Sequence, residues 1–169
     1  DTAWIVRLYA ECLRDAGFPP GVFNFVTGPG STVGQALVDS PEVDGVTFTG
    51  SFDVGMKMYR DFANRNHVRP IVLELGGKNP AIVSRNANLE DAATGIVRSA
   101  FGLQGQKCSA ASRILVEEPV YDELLAKLKS KVDSLVIGDP TERATYIGPV
   151  VNQNSYNEFK NFTEEINQA

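Results

Sequence analysis

The sequence predicts an α/β fold in which a parallel sheet is built from βαβ units. Three observations predict this class. Short apolar segments alternate with segments whose apolar residues recur at helical spacing, glycine-rich turns separate them, and the alternation repeats along the 169 residues. Repeated βαβ units favour parallel strands with helices packed on the faces of the sheet.

The first half of the chain supplies these units. Apolar side chains from Ile5 to Ala16 share one helical face, and Gly17 ends the helix. Ser31 follows a glycine-rich turn and can cap the second helix. In chain order we expect a helix over 3–16, a strand over 22–26, a helix over 31–40, a strand over 43–49, a helix carrying Val54, Met58, Tyr59 and Phe62, and a strand over 71–75.

A second α/β region begins near residue 78. Asn88 can cap a helix whose apolar residues, from Leu89 to Ala100, face one way. A later segment from Val120 to Leu135 has the same amphipathic period. The expected elements here are a strand over 81–84, the helix after Asn88, a strand over 113–116, a helix over 120–135 and a polar helix over about 155–166.

Composition excludes several classes of partner. The net charge is −5 without a basic cluster, which argues against binding nucleic acid. No apolar run approaches the length of a membrane span, so we expect no membrane insertion. The two cysteines, Cys12 and Cys108, are far apart and lack metal-ligand spacing. We therefore expect no metal site and a reducing, cytoplasmic compartment.

The ends of the sequence suggest an internal piece of a longer protein. The chain opens on a helix without a preceding partner strand and stops without a closing element. Three parallel strands would leave an open sheet edge. We expect such an edge to pair with another chain, for example a second copy of itself.

Two glycine-rich turns lie between an expected strand and an expected helix. In the turn from Gly28 to Gly34, backbone N–H groups and the helix dipole can meet a phosphate, although the last glycine comes one position later than in a dinucleotide fingerprint. An ordinary βα turn is the favoured interpretation of this segment when it is taken alone. In the turn from Gly50 to Gly55, the hydroxyl of Ser51 can cap the helix or bond a pyrophosphate oxygen.

Glu74 and Cys108 are the candidate reactive side chains. Glu74 interrupts the apolar run 71–75, and a partly buried carboxylate there would suit a general base, whereas a solvent-facing glutamate is the alternative. Cys108 lies in a small-residue loop beside Lys107, where a thiol can be nucleophilic. Cys12 has apolar helical neighbours and is expected in the core. His67, the only histidine, is expected on a polar loop.

Three ordered motifs resemble those of the NAD(P)-dependent aldehyde dehydrogenase superfamily. They are Phe-Thr-Gly-Ser at 48–51, Glu-Leu-Gly-Gly-Lys at 74–78 and Gly-Gln-Lys-Cys at 105–108. The resemblance extends along the whole chain. It implies that residues 1–77 are the C-terminal part of a Rossmann-like NAD(P)-binding domain and that residues 78–169 are the N-terminal part of a catalytic domain.

The resemblance also implies a reaction and its residues. Cys108 would be the nucleophile, Glu74 the general base, and the net reaction would oxidise a small-molecule aldehyde to a carboxylic acid. The cofactor would be NAD, with NADP as the alternative, and the parent would be a homo-oligomer. The residues expected to contact the cofactor are Gly30, Gly34, Thr49, Gly50, Ser51, Val54, Leu75 and Gly76.

Within the superfamily, the segments 99–102, 106–113 and 146–150 are most similar to the 1-pyrroline-5-carboxylate dehydrogenase group, which oxidises glutamate 5-semialdehyde to glutamate. The family's oxyanion asparagine and its later cofactor motif would lie outside residues 1–169. We therefore expect the 169 residues alone to lack useful activity. The alternatives are an aldehyde dehydrogenase of other or broad specificity, and a nucleotide-binding module without catalysis.

Overall fold

The computed structural model describes residues 3–64 and 68–168 and confirms an α/β fold with parallel strands. A π-helical turn covers Gly30–Gly34, and 3₁₀ turns cover Gly102–Gly105 and Glu118–Val120. In chain order the helices and strands are α1 (Ala3–Asp15), α2 (Gln35–Asp39), β1 (Val46–Thr49), α3 (Phe52–Ala63), β2 (Ile71–Glu74), β3 (Asn79–Val83), α4 (Leu89–Phe101), β4 (Ala111–Val116), α5 (Tyr121–Asp133) and α6 (Gln153–Gln168).

The chain divides into two compact units. The first unit comprises residues 1–48 and 56–72, and the second comprises residues 49–55 and 73–169. The described strands form two separate pairs, β1 with β2 and β3 with β4. The sequence-based expectation of one sheet with three parallel strands in the first half is therefore wrong for the described residues, because residues 22–26 do not form a strand. Among residues 3–64 and 68–168, none of the strands pairs with that segment.

In the first unit, α1 forms where it was predicted but buries none of its residues. The ring of Tyr9 packs edge-on against Phe23, with 5.8 Å between ring centroids. Cys12 is exposed, so the prediction that it is a core residue is wrong. The amphipathic period identified the helix correctly, but among the described residues no sheet face covers its apolar side.

Arg69 organises the end of α2 in the first unit. Its guanidinium is nearly buried and donates hydrogen bonds to the carbonyls of Val38 (3.0 Å), Ser40 (2.7 Å) and Val43 (2.6 Å). The same group lies 4.9 Å from the centroid of the Phe62 ring. The bond to Val38 satisfies a carbonyl in the last turn of α2, and the other two bonds hold the segment that follows the helix.

The second unit contains the larger core. Strand β3 runs parallel to β4, with Val83 opposite Val116 and a register shift between Asn79 and Pro80. Helices α4 and α5 pack on this pair, and Leu124 of α5 is 1% exposed. The buried cluster consists of Val83, Ala93, Ile96 and Leu124.

Polar groups fix the ends of these elements. The Asn88 side chain accepts hydrogen bonds from the N–H groups of Glu90 (3.0 Å) and Asp91 (3.3 Å), which confirms the predicted cap of α4. Glu90 also pairs with Lys131 and with Lys127 of α5, the latter at 3.4 Å. The hydrogen bond from Lys131 is the main reason why the pKa of Glu90 is lowered.

Helix α6 follows the core and buries none of its residues. Its apolar side chains are exposed, among them Phe159, Phe162 and Ile166. None of the described helices combines the length and the apolar character required to cross a membrane.

Candidate active site

Glu74 is the last residue of β2 and belongs to the second unit. The N–H of Gly50 donates to the carbonyl of Glu74 at 3.1 Å, so the end of β2 is joined to the turn that precedes α3. The carboxylate itself is exposed. The alternation of burial along β2 explains this, because Ile71 and Leu73 point to the more buried side and Glu74 to the other. The expectation of a partly buried carboxylate is therefore wrong for this chain.

Cys108 lies in the loop between the 3₁₀ turn Gly102–Gly105 and β4. Its side chain is exposed. Backbone hydrogen bonds bracket it, because Lys107 N–H donates to the carbonyl of Gly105 (2.9 Å) and Ala110 N–H donates to the carbonyl of Lys107 (3.2 Å). The loop thus presents the thiol on a short, locally bonded turn.

Gly77 brings the segment that follows Glu74 against this loop. A Cβ atom built on Gly77 would lie 2.5 Å from the backbone oxygen of Cys108, a distance that real side chains essentially never show. Only glycine permits so close an approach of the two backbones. One residue further on, the carbonyl of Lys78 accepts a hydrogen bond from the guanidinium of Arg113 at 2.9 Å. The segments that carry Glu74 and Cys108 are therefore neighbours.

The turn from Thr49 to Gly55 lies in the same unit. The Ser51 hydroxyl accepts the N–H of Val54 at 3.4 Å, which confirms the helix-cap interpretation of this serine. Gly55 is buried directly against the side chain of Leu75, the residue after Glu74. Thr49, Gly50, Ser51 and Val54 themselves are exposed.

Gly30 and Gly34 bound the π-helical turn of the first unit. Pro29, and not Ser31, occupies the N-cap position, so the predicted Ser31 cap is wrong. Instead, the N–H groups of Thr32 and Val33 both donate to the carbonyl of Pro29, at 3.1 and 2.9 Å. The N–H of Gln35 donates to the carbonyl of Gly30, five residues earlier, which is the hydrogen bond of a π-helical turn. Both glycines face open space.

One feature of the loop before Cys108 was not predicted. Leu103 and Gln104 have φ angles of 52° and 59°, which are rare for residues with a side chain, and Gly105 continues the left-handed turn at 70°. The amide Nε2 of Gln104 donates to the carbonyls of Gly148 and Pro149. In the local sequence, Gly105 is the residue that indicates a left-handed turn. The hydrogen bonds to Gly148 and Pro149 join residues far apart in the chain and have no local sequence pattern. His67, which was expected on a polar loop, lies outside the described residues.

Comparisons with known proteins identify the family of the chain. The model of the aldehyde dehydrogenase family matches residues 1–169. A 1-pyrroline-5-carboxylate dehydrogenase of Halalkalibacterium halodurans is 42% identical over 167 residues, which are 96% of this chain and 32% of that protein. The chain thus spans about a third of the length of the curated relatives it matches.

Solved structures give the same result. A 1-pyrroline-5-carboxylate dehydrogenase from Thermus with bound NAD matches with a TM-score of 0.88 and 36% identity, over 96% of this chain and 32% of that one. An NAD-dependent aldehyde dehydrogenase from Sinorhizobium meliloti matches with a TM-score of 0.90 and 39% identity, over the same shares.

Proposed function

The chain belongs to the aldehyde dehydrogenase family, and on that premise we propose that the full-length protein carrying it oxidises an aldehyde to a carboxylic acid with NAD. The observation that carries this proposal is the approach of Gly77 to the backbone of Cys108. It makes neighbours of the strand end that bears a carboxylate and the loop that bears a thiol. A thiol and a general base in adjacent segments are the two groups that acyl chemistry on cysteine requires.

In the proposed reaction, the thiolate of Cys108 adds to the aldehyde carbon and forms a thiohemiacetal. The backbone N–H of Cys108 is a donor for the oxyanion that develops on the former carbonyl oxygen. NAD, when bound, supplies the acceptor for the hydride of that carbon. Cys108 then holds the acyl group as a thioester. Glu74 takes a proton from water, the resulting hydroxide attacks the thioester, and the carboxylic acid leaves as the thiol is regenerated.

The residues around the β1–α3 turn fit an NAD cofactor. The exposed turn offers the Ser51 hydroxyl and the first backbone N–H groups of α3, which are donors suited to phosphate oxygens. Thr49, Gly50 and Val54 border the same turn, and Leu75 and Gly76 follow the neighbouring strand β2. We propose that these residues hold the pyrophosphate and nicotinamide. In the first unit, the exposed π-helical turn with Gly30 and Gly34 would contact the adenosine.

For the substrate we propose glutamate 5-semialdehyde, in equilibrium with 1-pyrroline-5-carboxylate, and glutamate as the product, a step of proline breakdown. The support is the identity of about 42% with relatives that bear the name of that activity. Ser109, directly after Cys108, is compatible with a polar amino-acid substrate. A broader aldehyde specificity is the second candidate, because the Sinorhizobium meliloti enzyme with a general aldehyde dehydrogenase name is 39% identical.

We also propose that turnover requires more than these 169 residues. Cys108 and Glu74 are both exposed in this chain, whereas the proposed chemistry benefits from a site that excludes water. In the longer protein, residues 1–77 would belong to the cofactor-binding domain and residues 78–169 to the catalytic domain.

The test is NADH formation by the full-length protein with 1-pyrroline-5-carboxylate and with propanal, each with NAD and with NADP. We expect preference for 1-pyrroline-5-carboxylate with NAD, no turnover by Cys108→Ala, and no turnover by the 169 residues alone. Better turnover of propanal would overturn the substrate. Unchanged turnover by folded Cys108→Ala would overturn the chemistry. Absence of turnover by the full-length protein with both substrates and both cofactors would favour a nucleotide-binding module without catalysis, and activity of the 169 residues would overturn the need for a longer chain.

A further inference from the structure

The turn that precedes Cys108 adopts a backbone conformation that its own residues disfavour. Leu103, Gln104 and Gly105 are consecutive residues with φ angles of 52°, 59° and 70°. Residues other than glycine rarely adopt this backbone conformation, and they keep it only when surrounding contacts enforce it. Some interaction outside the turn must therefore hold Leu103 and Gln104 in place.

The side chain of Gln104 supplies that interaction. Its Nε2 donates to the carbonyl of Gly148 and, at 3.3 Å, to the carbonyl of Pro149, more than forty residues later in the chain. Its Oε1 accepts a hydrogen bond from Nε2 of Gln106 at 2.7 Å. The amide is half-buried, and both its nitrogen and its oxygen are hydrogen-bonded within the protein.

The backbone between Gln104 and Cys108 is short and is restrained by further contacts. A Cβ atom on Gly105 would lie 2.8 Å from the carbonyl oxygen of Ala100, so the turn is packed against the end of α4. From Gly105 onward, the hydrogen bonds of Lys107 and Ala110 described above bracket the cysteine. A shift of residue 104 would therefore be transmitted to the position of the thiol.

We propose that Gln104 is a positioning residue for Cys108. By tying the left-handed turn to the 148–149 loop, it fixes where the thiol and the Cys108 backbone N–H stand relative to a substrate. Gln104 itself touches no reacting atom in this assignment. The inference rests on the proposed role of Cys108 as nucleophile, and it adds the residue that sets the placement of that nucleophile.

Two substitutions in the full-length protein test it. Gln104→Glu keeps the size of the side chain but replaces the donor with a carboxylate that faces two carbonyl oxygens. Gln104→Gly removes the anchor and also relieves the left-handed strain, so we expect it to fold even where the first variant does not. Gln153→Glu is the matched control, because Gln153 donates to Asn157, four residues further along the exposed surface of α6.

Two readouts separate positioning from a general loss of structure. The first is a comparison of two kinetic constants, the kcat for aldehyde oxidation and the KM for NAD. The second is the alkylation rate of Cys108 relative to Cys12 in the same molecule, quantified by peptide mass spectrometry, since both thiols are exposed. We expect both Gln104 variants to lower kcat by roughly 10- to 100-fold, as displacements near 1 Å do, and to change the alkylation ratio. We expect the KM for NAD to stay within about twofold.

Either folded Gln104 variant with wild-type kcat and a wild-type alkylation ratio would overturn the inference. A fall in thermal stability without a change in that ratio would do the same, because it would indicate a structural role only. Failure of the proposed function is distinguishable, since Cys108→Ala would then retain activity. An inactive Cys108→Ala together with unperturbed Gln104 variants would reject only the positioning role.

Discussion

Replacement of Gly77 by alanine should strongly reduce the proposed dehydrogenase activity of the full-length protein with little loss of folding. The added Cβ atom would lie 2.5 Å from the Cys108 carbonyl oxygen, whereas ordinary van der Waals contact begins at 3.4 Å, so one of the two backbones must move by about 0.9 Å. The second close atom, Oδ1 of Asn79, belongs to a side chain that can rotate away. The movement therefore falls on the Cys108 loop or on the segment after Glu74.

A displacement of about 1 Å in an active site can cost roughly 100-fold in rate, which corresponds to about 2.7 kcal/mol of transition-state stabilisation. We expect kcat/KM of the full-length Gly77→Ala protein to fall by that order. Steady-state NADH formation with 1-pyrroline-5-carboxylate measures it, and circular dichroism and thermal unfolding verify that the variant is folded.

Gly95→Ala is the matched control. Gly95 is an exposed position inside α4 with no atom within 4 Å of an added Cβ, so alanine should leave activity unchanged and stabilise the helix by up to about 1 kcal/mol. A folded Gly77→Ala variant with activity within about twofold of the wild type would refute the reasoning, because a shift of about 1 Å should lower the rate by more than that.

Two further predictions concern the core and the surface of the second unit. Leu124→Ala should lower the free energy of unfolding by about 2–5 kcal/mol in a urea titration, because Leu124 is 1% exposed, and a loss below about 1 kcal/mol would contradict the assigned core. Glu90→Gln should lower the melting temperature slightly at pH 7, and the difference should shrink as the pH falls below 4.5 and vanish below the lowered pKa of the folded protein. The reason is that the pKa of Glu90 is lowered in the folded protein by Lys131, so its contribution is present above the ordinary value of 4.5 and is lost as acid protonates the carboxylate. A difference that persists undiminished at acidic pH would exclude the ion pairs as its cause.

Sequence patterns predicted the second unit well because its elements carry their own signals and find their partners within it. Asn88 is a strong local cap, and the apolar residues of α4 and α5 meet β3 and β4 in one core. The first unit was harder to predict. An apolar period identifies α1, but it does not tell whether Cys12 will be covered, and residues 22–26 lack a paired neighbour that would make them a strand.

For the candidate site, too, the sequence predicted some features and the fold determined others. Glu74 and Cys108 were singled out by their motifs, and the structure adds the contact at Gly77 that makes their segments neighbours. No local pattern predicts that Gln104 reaches the 148–149 loop, because a hydrogen bond between residues far apart in the chain depends on the fold as a whole. The exposure of Glu74 was likewise set by the direction of its side chain on β2, which a one-residue change of register would reverse.

The most direct test of the central claim, that Cys108 is acylated and Glu74 releases the acid, is a rapid-quench experiment on the full-length Glu74→Gln variant. The account predicts a burst of NADH of about one equivalent per active site, followed by slow turnover, with the acyl group found on the Cys108 peptide by mass spectrometry. Steady turnover at the wild-type rate, with no burst and no acylated Cys108, would contradict it.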